Sequence, residues 1–144
     1  MTYTLTLSDA ADENIRQAIL APLRAYNDSQ AGPSQGRPLV IQVNDPMGAT
    51  LGGLWGYTGY GWLFTQLLVV PDNLRGQGVG TQLMQLAETE AITRACHSAW
   101  LDTFEFQARG FYERLGYSCF GELPNYPVGF SRFFMKKRLT TLPT

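Results

Sequence analysis

The sequence predicts a mixed α/β fold, α+β in its mixing: a central, mostly antiparallel sheet flanked by helices. Three observations predict it. Segments with strand and helix periodicity follow one another in the order β-α-β-β-β-α-β-α-β-β, which asks for one mixed sheet with helices packed on it. Residues 50–70 carry Gly52, Gly53, Gly56, Gly59 and Gly61 among aromatics, a pattern that weakens any helix and suits an antiparallel hairpin. No repeat, low-complexity tract or linker divides the 144 residues, so residues 1–144 are expected to form a single domain.

Each element has its own signal. Tyr3 to Leu7 alternates and predicts a first strand. Ser8 and Asp9 offer N-cap oxygens for a helix over residues 11–26, with Ile15, Ala18, Ile19 and Leu23 on one face. Residues 27–38 turn to Asn, Asp, Ser, Gly and Pro, a loop or a single helical turn. Residues 39–43 are a buried-strand pattern, and residues 50–70 form two strands joined near residues 58–61. A helix is expected over residues 78–95, with Val79, Leu83, Leu86 and Ala87 as its apolar stripe. Residues 98–103 form a strand, residues 107–115 a second amphipathic helix stopped by Gly116, and residues 117–123 and 129–139 the closing strands.

Composition excludes several classes. A formal net charge of -1 gives no electrostatic footprint for nucleic acid or an anionic membrane. The single basic cluster, Lys136-Lys137-Arg138, is expected to be a solvated strand end. Cys96 and Cys119 lack metal-ligand spacing, and with one histidine, His97, beside Cys96, no metal site is expected. Acidic Asp9, Asp12 and Glu13 interrupt any leader-like apolar run, and no apolar stretch is long enough to span a bilayer; a cytoplasmic protein is expected. The apolar run at residues 130–135 could join the sheet of another subunit, giving a homodimer.

The chemistry-bearing signal is the connection Pro71-Asp72-Asn73-Leu74-Arg75-Gly76-Gln77-Gly78-Val79-Gly80-Thr81. Glycines at every second position remove the Cβ atoms that would hold a ligand away from the backbone. A helix starting there presents unpaired N–H groups and the positive end of its dipole, which suits an anion such as pyrophosphate. Arg75 can add a charge-assisted contact. No Lys-Ser or Lys-Thr follows the last glycine, so a P-loop is excluded, and the preceding strand belongs to a hairpin rather than the βαβ unit of the dinucleotide fingerprint.

Arg75-x-x-Gly78-x-Gly80 after Leu68-Val69-Val70-Pro71 resembles the acetyl-CoA signature of the GNAT superfamily of N-acetyltransferases. The segment from Leu101 through Phe111-Tyr112-Glu113-Arg114-Leu115-Gly116-Tyr117 is similar to the later strand and helix of that family. The resemblance implies a sheet splayed between its fourth and fifth strands, with the thioester of acetyl-CoA in the gap and no metal. It implies that the main chain of Leu68, Val69 and Val70 pairs with the pantetheine arm, and that Arg75, Gly76, Gln77, Gly78, Val79, Gly80 and Thr81 hold the pyrophosphate. Tyr112 stands where many members carry a tyrosine that protonates the departing thiolate. The reaction expected is direct acetyl transfer to a primary amine of a small molecule or peptide.

Many members place a carboxylate on the strand before the signature, but residues 61–70 contain neither an acid nor a histidine. Asp102 and Glu105 are the nearest candidates to relay the amine proton; bland roles, a strand-edge hydrogen bond and a helix-dipole contact, stay open for both. Trp55, Trp62, Phe64 and Tyr126 are candidates to line an acceptor site for a cationic amine, against the ordinary reading of sheet aromatics as core. Strand alternation places Trp62, Phe64, Gln66 and Leu68 on one face. The acid-free strand keeps open an alternative: a degenerate module that holds acyl-CoA without turnover, as a sensor or interaction partner.

Overall fold

The computed structural model describes residues 1–142, which divide into two compact units, Met1–Ser34 and the chain from Gln35 onward. The first unit contains one helix, α1 (Glu13–Ala31). Asp12 caps it, Oδ1 accepting from the amides of Asn14 at 2.7 Å and Ile15 at 3.2 Å. Ser8, expected near the cap, instead accepts from the Ala10 amide in a local turn. The helix continues through Asn27 and Asp28, where polar composition suggested a loop or a single helical turn, and ends at Gly32 with φ 78°. The expected strand at residues 3–7 is not formed: alternation sorts side chains between faces, whereas a ladder needs a partner edge.

The second unit is a six-stranded sheet: β1 (Arg37–Asn44), β2 (Thr50–Gly59), β3 (Trp62–Val69), β4 (Ser98–Phe104), β5 (Ser118–Leu123) and β6 (Arg132–Arg138), ordered β1-β2-β3-β4-β6-β5. All neighbouring pairs are antiparallel except β3 and β4. A parallel pair needs a crossover, supplied here by α2 (Val79–Thr93). A short helix, α3 (Arg109–Arg114), joins β4 to β5. The architecture is the mixed α/β sheet that the element order predicts. Tyr60 and Gly61, with φ 48° and 77°, make the tight two-residue turn between β2 and β3.

One core holds this unit together. Leu39, Leu54, Leu63, Leu101 and Met135 from the sheet meet Met84, Ala87 and Ala91 of α2 and Tyr112 of α3. Ala87 and Ala91 are fully buried, and their small side chains let α2 lie close to the strands. The run at residues 130–135 is not a free edge: β6 lies between β4 and β5 with both sides paired, so it cannot add to another sheet. The basic end of β6 is also not simply solvated. Lys137 Nζ donates to Glu88 Oε1 at 2.6 Å, and Tyr117 donates its hydroxyl to the other oxygen at 3.0 Å.

Two irregularities at one place position the site. Along the β2–β3 ladder, Trp55 opposes Leu67 and Gly56 opposes Thr65, so Gln66 is an extra, bulged residue. The bulge resets the alternation. Trp62, Phe64, Leu67 and Val69 share one face; Leu63, Thr65 and Leu68 share the core face, and Leu68 packs on the core opposite Leu54. Leu68 therefore leaves the face on which uninterrupted alternation put it with Phe64. The parallel pairing of β3 with β4 also ends at Thr65 and Leu101. Beyond that point the two strands part, and these are the fourth and fifth strands of the expected order.

The spacing of β2 against β3 depends on Gly56, where a Cβ would lie 2.1 Å from the Phe64 carbonyl oxygen. Gly56→Ala is expected to destabilise the fold by about 1–3 kcal/mol, since the strands must separate to admit the methyl. Chemical denaturation measures this; unchanged stability would mean that the ladder has slack here.

Candidate active site

The connection from β3 to α2 begins with a 3₁₀ turn at Asp72–Leu74, and Gly76 and Gly78 follow with φ 75° and 78°. This left-handed backbone is one that side-chain-bearing residues adopt at a cost. No atom lies within 4 Å of where a Cβ would stand on either glycine, so both border open space. Gly78 is the N-cap of α2 and provides no side-chain cap, which leaves the first amides of the helix available to a ligand. Gly80 serves packing instead. A Cβ there would lie 3.2 Å from the Phe111 ring, so its hydrogen lets α2 approach α3. Arg75 pairs with Asp72 at 3.1 Å, but both side chains are largely solvent-exposed and the pair is easily exchanged for an anion. Gln77 turns away, its amide bonded to the Asn73 carbonyl at 3.2 Å.

From this turn a cleft of about 980 Å³ runs to the place where β3 and β4 part. Residues 65–70 form one wall; Asp102, Thr103, Phe106, Gln107, Phe111 and Tyr112 form the other. On the cleft side the main chain of β3 beyond Thr65 has no strand partner, since its parallel ladder has stopped. An open glycine turn at an uncapped helix end, joined to an unpaired strand edge, fits a ligand with a phosphate-bearing part and an extended arm.

Tyr112 is buried, with its ring against Phe111 and Tyr117 at centroid distances of 5.1 and 6.0 Å. Burial, and secondarily the charge of Asp102, push its hydroxyl up to about 12, so it carries its proton at any physiological pH. Asp102 shares the wall but is engaged: Arg132 places Nε at 2.8 Å and Nη2 against the same Oδ1. The Arg132 guanidinium lies over Tyr126, Phe104 and Phe134, 4.8, 5.1 and 5.6 Å from their ring centres. Glu105 stands outside the cleft lining and ties the end of β4 to the start of β6. Its amide donates to the Ser131 carbonyl at 2.8 Å, and its Oε2 accepts from the Ser131 amide at 3.4 Å.

The aromatic candidates do not converge. Trp62 stands edge-on to His97 at the far end of β3, and Phe64 stacks on Trp100 at 4.2 Å. Trp55 borders a separate hollow of about 690 Å³ with Val40, Leu51, Leu67 and Val69. Tyr126 flanks Arg132 and is not part of the cleft wall. Among the residues that line the cleft, Thr65, Phe106 and Gln107 were given no role from the sequence. Gln107 shapes the end of β4, its Oε1 accepting from the Phe104 amide at 2.9 Å and the Thr103 hydroxyl at 3.3 Å. Cys96 is buried outside the cleft, and burial pushes its thiol up, opposed in part by the charge of Arg94. Among the described residues no group of three His, Cys, Asp or Glu could hold a metal, and no helix is long and apolar enough to cross a membrane.

The profile of the acetyltransferase (GNAT) family matches residues 7–117. The chain belongs to this family. Acetyltransferase Atu2258 of Agrobacterium fabrum is 42% identical over 132 residues, 92% of this chain and 96% of that protein. Blasticidin-S acetyltransferase of Streptomyces morookaense is 35% identical over 109 residues, 73% of this chain and 80% of its own length. A crystal structure of a protein from Agrobacterium tumefaciens, 40% identical, superposes with a TM-score of 0.88 over 94% of this chain and 99% of the other. The protein is thus an acetyltransferase. The GNAT family uses acetyl-CoA, and the glycine turn and the strand edge of this member suit the pyrophosphate and the arm of that molecule.

Gly78→Val forces a β-branched residue to φ 78° and fills open space at the helix end. Affinity for CoA is expected to fall at least tenfold in protein that stays folded. Calorimetry that returns wild-type affinity for the folded variant would show that the phosphates bind elsewhere.

Proposed function

We propose that the protein transfers an acetyl group from acetyl-CoA directly to a primary amine of a small molecule, the whole chain acting as one acetyltransferase domain. The observation that carries this reading is the single cleft that joins the glycine turn, the unpaired edge of β3 and the hydroxyl-bearing Tyr112. The family match crosses the boundary between the two units, which supports one working domain. The relative named for acetylation of blasticidin S supports a small-molecule acceptor.

In this reading the amides of residues 76–81 hold the pyrophosphate and Arg75 leaves Asp72 to join them. The main chain of residues 68–70 aligns the arm, and one of its N–H groups donates to the oxygen that becomes negative as the amine attacks. Tyr112 gives its proton to the departing sulfur. The amine proton goes to water rather than to a side chain. Asp102 Oδ1 already receives two contacts from Arg132, and Glu105 lies outside the cleft lining. The transfer needs no cysteine intermediate, since neither cysteine lines the cleft: Cys96 is buried as a thiol, and Cys119 donates its thiol to the Gly121 carbonyl at 3.3 Å.

Tyr112→Phe keeps the ring and removes the proton. With an amine acceptor in hand, kcat is expected to fall on the order of 100-fold while CoA affinity holds, the pattern of an interaction made in the transition state. The sign of the pH dependence follows from the raised value: the phenol ionises only near pH 12, so Tyr112 adds no alkaline decline to the wild-type profile below about pH 11. Glu105→Gln should leave the profile nearly unchanged. Full turnover by Tyr112→Phe across the pH range would make Tyr112 a packing residue.

A further inference from the structure

At the inner end of the cleft, Thr65 is 4% exposed, and its Oγ1 is sealed from water with no hydrogen-bond partner among the described residues. Neither neighbouring strand can supply one from a side chain. The residue opposite on β2 is Gly56, where a side chain would collide with the Phe64 carbonyl, and the residue opposite on β4 is Leu101. An orphaned hydroxyl in such a place destabilises a fold, and valine, with the same shape, would not carry that cost. Yet this hydroxyl stands where the parallel ladder stops, beside the bulged Gln66, and Thr65 borders the cleft. Rotation about χ1 to another staggered well carries the hydroxyl to the position of the methyl or of the Cβ hydrogen, so the oxygen can be presented to a group that arrives at the apex.

We propose that Thr65 is an acyl-binding residue whose hydroxyl donates to the thioester carbonyl oxygen of acetyl-CoA. The assignment rests on the reading that the gap between β3 and β4 takes acetyl-CoA. It gives the enzyme a means to distinguish acetyl-CoA from the CoA product, which lacks that oxygen.

Calorimetry with acetyl-CoA and with CoA, together with thermal melts, on wild type, Thr65→Val and Thr65→Ser tests this. Thr65→Val is expected to melt at or above the wild-type temperature, to bind CoA as the wild type does, and to lose roughly 3- to 10-fold in acetyl-CoA affinity, the range of one net hydrogen bond. Thr65→Ser keeps the hydroxyl and should keep the wild-type ratio of the two affinities. Thr65→Ala carries the same binding expectation as Thr65→Val should that variant misfold. An unchanged ratio in the variants without a hydroxyl would overturn the assignment while leaving the cofactor reading intact. Wild-type protein that binds neither ligand would overturn the cofactor reading and the role of Thr65 with it.

Discussion

Hydrogen bonding between β3 and β4 stops at Thr65 and Leu101, although both strands continue. β3 goes on beside β2 through the bulge at Gln66, and β4 goes on beside β6. A sheet that parts in its middle exposes main-chain groups that would otherwise be paired, and such groups need a partner. The cleft, its walls and its ligand class follow from that. The glycine turn leaves the end of the same strand and leads into a helix start without a side-chain cap, so the unpaired edge and the turn form one continuous surface.

Asp102 at the gap is already matched to Arg132, and this limits what it can do. Arg132 holds Asp102 and is itself held over three aromatic rings, so the pair stiffens the end of β4 rather than offering a loose base. Glu88 joins α2 to Tyr117 and to Lys137 of β6, on the core side of the sheet. Tyr112 lies deep enough to stay protonated. The site is therefore rich in fixed donors and poor in free acceptors, which suits a reaction whose difficulty is alignment and departure of the thiolate rather than activation of a nucleophile.

Much of this was legible from sequence because it is local. The glycines at 76, 78 and 80, the helix after them and the hairpin of residues 50–70 each follow from backbone preferences within a few residues. What was not legible depends on long-range pairing. No local signal announces that Gln66 is bulged, so the face of Leu68 was misread. The apolar run ending in β6 looked like an edge because a sequence does not say which strands take the interior. Residues 3–7 alternate as a strand should, yet alternation cannot supply the neighbour that a strand needs. The partner of Asp102 was hidden for the same reason: Arg132 is thirty residues away in the chain and meets it through the β4–β6 ladder.

Amide hydrogen exchange, read residue by residue with and without saturating CoA, tests the central claim most directly. If the open gap and the glycine turn are one site, exchange slows together in residues 67–70 and 76–81, while Val40, Leu51 and Trp55, which border the second hollow and not the cleft, are unaffected. Protection confined to Val40, Leu51 and Trp55, with both segments exchanging as in the free protein, would contradict the account.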